Sequence, residues 1–169
     1  LDDWRGRSIQ TVFFGGGTPS TFKPSTIGGI LERANTSFPI DSDCEVTLEA
    51  NPGTVESANF AGYRFCGVNR ISVGVQSFQP HLLKFLGRIH SAHEAVNALQ
   101  IIAQVGFENF SLDLIYANPG QTLGDLENDL EIALSFQSPH LSAYNLTIEE
   151  GTPFHYEYRS GRFKLLSEE

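Results

Sequence analysis

The sequence predicts an α/β fold made of repeated βα units around a parallel sheet. Short apolar runs alternate with longer helix-period stretches, and the turns between them are short. The length of 169 residues is room for one sizeable core. It is too short for a closed eight-stranded barrel, which takes about 250 residues. The residues leave two architectures open: an open doubly wound sheet, or a piece of a barrel.

Five stretches read as strands: IQTVFF at 9–14, EVTLEA at 45–50, RISVGV at 70–75, NFSLDLIY at 109–116 and LSAYNLT at 141–147. Each is rich in β-branched or aromatic residues and bounded by turn signals. Their apolar content predicts strands buried on both faces.

Helices are expected between them. Residues 25–38 place Ile27, Ile30, Leu31 and Ala34 on one face, with Ser25 as N-cap. Residues 54–66 open on a polar cap region and end at Gly67. A short helix at 80–86 stops at Gly87. Residues 92–105 carry Ala95, Val96, Leu99, Ile102 and Ala103 at helical spacing and stop at Gly106. Residues 123–136 carry Leu126, Leu130, Ala133 and Leu134 and end before Ser138-Pro139. No linker or low-complexity segment divides 1–169, which reads as a single domain.

Composition narrows the function. A net charge of −9 without a Lys/Arg cluster argues against nucleic acid as partner. No apolar run approaches the roughly 18–20 residues of a membrane span. Two cysteines make no disulfide framework and fit a reducing compartment, the cytoplasm. Cys44 and Cys66 read as buried small apolar residues and make no metal site alone. His81, His90, His93, His140 and His155 lack ligand spacing, and only His90 stands beside a candidate residue, Arg88. The chain has no methionine and begins LDDWRGRS, so an internal fragment is expected.

The polar residues cluster at strand ends. TVFFGGGTPS delivers Gly15, Gly16, Gly17 and Thr18 after the first strand. Three glycines suit a slack hinge or a close backbone approach, and Pro19 stiffens the chain just after them, which favours the approach. Glu49 ends the second strand before Asn51-Pro52, Gln76-Ser77 end the third, Asp113 sits in the fourth, and Asn145 and Thr147 close the fifth. In a parallel sheet all C-terminal ends share one edge, where barrel and doubly wound enzymes keep their sites. A carboxylate such as Asp113 within an apolar strand is expensive unless paired. Arg88, in LGRIH, is a candidate cation for a rim carboxylate. The set suits a ligand with hydroxyls and an amino-acid moiety. Neither GxxxxGK[ST] nor GxGxxG is present.

FFGGGTPS, LEANPGT, NRISVGVQSF, LGRIH, LDLIYANPGQT and LSAYNLTIEEGTPF stand in this order over residues 9–155. Together they resemble the radical S-adenosylmethionine proteins related to oxygen-independent coproporphyrinogen III oxidase. LTIEEGTPF and LGRIHSAHEA are more similar to the haem chaperone branch than to the oxidase. Glu150-Gly151 and Asn118 depart from the usual Pro-Asn and leucine of that branch.

The resemblance implies part of a triosephosphate-isomerase-type barrel, with a [4Fe-4S] cluster and S-adenosylmethionine at its C-terminal rim. It implies that Gly16, Gly17 and Thr18 meet the methionine portion, and that Glu49, Gln76, Arg88 and Asp113 complete the cofactor site. Thr147 is a further position near the cofactor. The family's CxxxCxxC motif is absent, so the cluster ligands are expected upstream, with a further C-terminal region also missing. Two functions are implied. One is haem binding and delivery to an acceptor protein. The other is radical oxidative decarboxylation of a porphyrinogen.

Overall fold

The computed structural model describes residues 6–166. Five strands, β1 (Ile9–Phe14), β2 (Ile40–Ala50), β3 (Arg70–Gln76), β4 (Asn109–Tyr116) and β5 (His140–Asn145), form one sheet. Six helices accompany them: α1 (Pro24–Ser37), α2 (Ser57–Phe65), α3 (Pro80–Phe85), α4 (Ala92–Val105), α5 (Leu123–Ser135) and α6 (Pro153–Arg159).

The strand order settles the architecture. The sheet runs β1-β2-β3-β4-β5, and each neighbouring pair is parallel. A doubly wound sheet reverses its order at a switch point, and this one does not. Successive right-handed crossovers in one direction put the helices on one side only, as in a barrel. The domain is therefore an incomplete barrel of βα units.

That one-sided cover corrects the expectation of strands buried on both faces. Burial along β3 alternates strictly, with Ile71, Val73 and Val75 buried and the residues between them partly open. Cys44, Val46, Leu48 and Ala50 of β2, together with Phe110, Leu112 and Leu114 of β4, join them in the core. Ile27, Leu31, Phe60, Tyr63, Leu99 and Ile102 of the helices pack on the same cluster. The opposite face carries the alternate, mostly polar set.

Several boundaries differ from the sequence reading. β2 begins at Ile40, five residues before the expected 45. Pro24 opens α1 behind Lys23, so Ser25 is not its cap, and Ile30 is half exposed. Thr54 closes a 3-10 turn over Pro52–Thr54, and α2 starts at Ser57. Of the apolar face expected in α5, Leu134 is exposed, while the polar Asp129 is buried. Cys44 is buried as expected, but Cys66 is only half-buried. β5 ends at Asn145, which leaves Thr147 outside the strand and exposed.

α6 was not expected from the sequence. Thr152 caps it by accepting from the His155 N–H, and Pro153 starts it. Its Phe154 packs tilted against Phe85 of α3 and edge-to-face against Phe163, with ring centroids 5.3 and 6.1 Å away. α4 and α5 are closed by capping boxes, Ser91 with Glu94 and Thr122 with Asp125.

Candidate cofactor site at the C-terminal rim

The glycine loop after β1 is built rather than slack. Gly16 and Gly17 take positive φ of 81° and 63°, which side chains resist. Pro19 and Ser20 are buried in a 3-10 turn directly afterwards. The Ser20 hydroxyl lies 2.6 Å from that of Thr54, and the buried Tyr63 hydroxyl donates to the carbonyls of Ser20 and Phe22. Two later elements thus tie down the loop that presents Thr18.

Glu49 reaches back to this loop. Its Oε2 accepts from the Gly16 N–H at 3.0 Å. Gly15 leaves the space for that contact, since a Cβ there would sit 3.1 Å from Glu49 Oε2 and 2.5 Å from the Phe13 ring. A second lone-pair set on Glu49 stays available.

Gln76 has the most unusual backbone among these residues. Its φ is 71°, an outlier for a residue with a side chain. The Ser77 N–H donates to the Val75 carbonyl at 2.9 Å, so Gln76 is the centre of a three-residue turn. The pairing of β3 with β4 slips at the same point, from Val73–Leu112 to Gln76–Leu114. Such irregularities re-aim side chains near sites, and a conformation of this kind costs on the order of 1–3 kcal/mol. The Gln76 amide folds back over Gly74, where an added Cβ would come within 2.8 Å of Nε2.

Asp113 faces the open side of the sheet, which explains how an apolar strand carries it. The Ser72 hydroxyl donates to its Oδ2 at 3.1 Å. A polar chain continues down the concave face. Ser111 donates to Ser72 at 3.1 Å, and Arg70 donates to Ser111 at 3.1 Å and to Thr47 at 3.4 Å. Arg70 Nε also lies 3.9 Å from Glu45 Oε2.

These residues meet. A cavity of about 200 Å³ at the rim is lined by Gly17, Thr18, Glu49, Gln76, Arg88 and Asp113, with Pro19, Ala50, Asn51, Ser72 and Gly74 completing the wall. Gly16 contributes through its N–H to Glu49. The Arg88 N–H donates to the Leu83 carbonyl at 2.9 Å, while its guanidinium has no hydrogen bond or ion pair among the described residues and is available to a ligand. Thr147 is not part of the cavity.

Ser72 and Gly74 were missed by the sequence reading of the site. Their signal is the period-two alternation Arg70, Ser72, Gly74, Gln76, which marks the second face of β3. A larger open hollow of about 930 Å³ lies at the other end of the strands, near Arg64, Phe65, Asn69 and Glu108. Size does not make it the site. It gathers helix C-termini and N-terminal strand ends, where barrels keep structural residues.

His90 is buried behind the rim. Its Nε2 lies 3.0 Å from the Val75 carbonyl, while Nδ1 is buried without a partner. Burial lowers its pKa, and the nearby Arg88 guanidinium acts in the same direction. Burial pushes the Cys44 and Cys66 thiols up. Both are thus poor sources of the thiolate that iron–sulfur ligation needs. Among the described residues no group of His, Cys, Asp or Glu is arranged to hold a metal ion. The described residues therefore do not fit the cluster, whereas the rim cavity is lined by two carboxylates, a guanidinium and main-chain polar groups.

Fold and rim together define a barrel-type protein with a polar cavity at the C-terminal strand ends. Residues 1–133 match the model of the radical SAM superfamily, and the chain belongs to that superfamily. The superfamily implies S-adenosylmethionine and a [4Fe-4S] cluster. Over 150 residues the chain is 45% identical to the heme chaperone HemW of Escherichia coli, covering 89% of this chain and 40% of that protein. Against HemW of Haemophilus influenzae it is 43% identical over 155 residues, covering 92% and 40%. Against the mitochondrial radical S-adenosyl methionine domain-containing protein 1 of Danio rerio it is 37% identical over 161 residues, covering 95% and 36%. The chain thus spans about 40% of the length of these relatives. The solved structure of E. coli coproporphyrinogen III oxidase HemN, a radical SAM enzyme, superposes with a TM-score of 0.81 at 25% identity, covering 96% of this chain and 37% of that one.

Proposed function

We propose that this chain is the S-adenosylmethionine-holding core of a radical SAM haem chaperone, which binds haem and passes it to an acceptor protein. One observation carries the reading: six candidate residues from separate strand ends and loops line a single rim cavity. The curated relatives named above as heme chaperones support the branch.

The donor set matches the ligand's chemistry. Glu49 and Asp113 each keep acceptor capacity for an ammonium or ribose hydroxyls, and Arg88 offers a fork to a carboxylate. Gly16, Gly17 and Thr18 bring main-chain polar groups to the methionine portion. A volume near 200 Å³ is below the roughly 300–1,000 Å³ of sites for drug-sized ligands. It suits one end of S-adenosylmethionine, with the rest extending over the rim. When bound, the cluster and S-adenosylmethionine supply the radical chemistry of the superfamily. In this reading the cluster is carried by a part of the longer protein beyond these residues. Two free cysteines fit a reducing compartment, and the reading assigns the protein to the cytoplasm. No helix among the described residues is long and apolar enough to cross a membrane.

The second reading is oxygen-independent coproporphyrinogen III oxidase, favoured by the HemN superposition. Full-length, cluster-reconstituted protein separates the two. Stoichiometric haem binding in an absorbance titration, with no decarboxylation of coproporphyrinogen III, is the expected result. Porphyrinogen turnover without haem binding would replace the chaperone reading by the oxidase.

A further inference from the structure

We propose that Asp129, on the outer helix α5, is a positioning residue for Gln76 in the rim cavity. The inference rests on the reading that this cavity takes S-adenosylmethionine.

Asp129 is 1% exposed, although it is ionisable and sits on a helix that packs mostly through apolar residues. Three donors satisfy its carboxylate, and all come from consecutive residues after Gln76. Oδ2 accepts from the Ser77 hydroxyl at 2.7 Å. Oδ1 accepts from the Phe78 N–H at 2.8 Å and from Gln79 Nε2 at 3.0 Å. Ser77 Oγ in turn accepts from the Gln79 N–H at 3.0 Å, which makes the segment a closed polar knot.

This knot begins one residue after an unfavourable backbone. Gln76 at φ 71° holds that conformation only if its surroundings over-determine it. Two constraints act on the near side, where the Val75 carbonyl takes hydrogen bonds from Ser77 N–H and His90 Nε2. Asp129 supplies the far side. Gly74 then leaves room for the amide to lie across the concave face toward Glu49 and Asp113. A buried carboxylate needs donors wherever it sits; here all three come from the loop directly after Gln76, which ties α5 to that segment.

The test measures S-adenosylmethionine affinity by calorimetry in full-length, cluster-reconstituted protein. Asp129→Ala should weaken binding roughly tenfold, as expected when a contacting network is cut. Combined with Gln76→Ala, it should add less than about twofold to the loss from Gln76→Ala alone, because both changes remove the same contact. Combined with Glu49→Ala, the two losses should multiply. Amide hydrogen exchange without ligand should speed up across residues 77–79 in Asp129→Ala. If that variant does not fold, Ser77→Ala removes the Oδ2 donor and the acceptor of the Gln79 N–H while keeping both Oδ1 contacts, and should give the same pattern at smaller size. Unchanged affinity in a folded variant, or losses that multiply with Gln76→Ala, would overturn the positioning role while leaving the cavity reading intact. If wild-type protein binds no S-adenosylmethionine, the cavity reading falls and takes this one with it.

Discussion

Ile71, Val73 and Val75 alternate along β3 with Arg70, Ser72, Gly74 and Gln76. The first set lies under helices within the apolar cluster, and the second lines the open concave side. One seven-residue strand therefore serves two regions with opposite requirements. On the convex side each position must fill volume, and side chains are interchangeable where they fit. On the concave side each position must present a polar group at one place, and its neighbours are chosen to hold that group. The same alternation recurs in β2, with Val46 and Leu48 against Thr47 and Glu49, and in β4, with Leu112 and Leu114 against Ser111 and Asp113.

The comparison breaks most visibly on the convex side. Leu112 is fully buried, and Leu112→Ala should cost about 2–5 kcal/mol of stability through lost transfer energy and a residual cavity. Chemical denaturation of the full-length protein checks this. S-adenosylmethionine affinity in the folded fraction should change less than about threefold, since no cavity residue is touched. A large affinity loss would show that the two faces are not separable.

Glu49→Ala and Asp113→Ala test the concave side in reverse. Each removes a charge-assisted acceptor worth about 1.5–3 kcal/mol, so affinity should fall roughly ten- to hundredfold. Melting temperature should move little, because each side chain is half-exposed and makes one hydrogen bond, to Gly16 or Ser72. Calorimetry and thermal melts on the same samples give both numbers. Unchanged affinity in both variants would remove the rim from the cofactor assignment.

The sequence carried much of this division because strand chemistry is local. Glu49, Gln76 and Asp113 each interrupt or close an apolar run, and parallel topology alone brings strand ends together. What was not legible depended on tertiary placement. Reading RISVGV as apolar throughout hid Ser72 and Gly74, whose importance comes from neighbours on other strands or from a folded-back amide. Asp129 is one of several acidic residues between 123 and 136, and nothing local says that Ser77 to Gln79 will reach it. Ser25 looked like a cap because the loop conformation that lets Pro24 start α1 is not encoded in the propensity of one residue. α6 was overlooked because its stability comes from Phe154 meeting Phe85 and Phe163 rather than from a periodic apolar stripe.

A smaller effect comes from the caps, which belong to neither face. In α4 the Ser91 hydroxyl accepts from the Glu94 N–H, and Glu94 accepts from the Ser91 N–H at 2.8 Å. Ser91→Ala should cost about 1 kcal/mol. The Ser91 backbone N–H and then its hydroxyl hold the Glu94 carboxyl below its ordinary range. A depressed carboxylate stabilises fully above its unfolded pKa and loses that contribution as pH falls through the folded one. The difference between wild type and Ser91→Ala should therefore shrink below about pH 4. Urea denaturation at pH 7 and pH 3.5 compares them.

His90 stands at the seam between the two regions, and its effect is the most sharply signed. Nε2 is used on the Val75 carbonyl, so the neutral ring donates there and leaves Nδ1 buried as an acceptor. Protonation would add a second donor with nothing to receive it, in a place already desolvated. Burial is accordingly the main reason for the lowered pKa, and Arg88 adds to it, while the Val75 hydrogen bond and Glu94 oppose it. The sign is then fixed. Above the ordinary histidine value near 6.5 both folded and unfolded chains carry the neutral ring, and its contribution is complete. As pH drops below that value the unfolded chain takes up a proton first, and stability falls by up to about 1.4 kcal/mol per pH unit until the folded pKa is passed. His90→Gln keeps a donor toward Val75 but cannot titrate. It should lose that slope between pH 6.5 and 5 while retaining the acid loss contributed by carboxylates. Denaturant midpoints at half-unit pH steps decide it. An unchanged slope in the variant would mean that His90 takes up its proton at the same pH in the fold as in the unfolded chain and that the seam is wetter than its burial indicates.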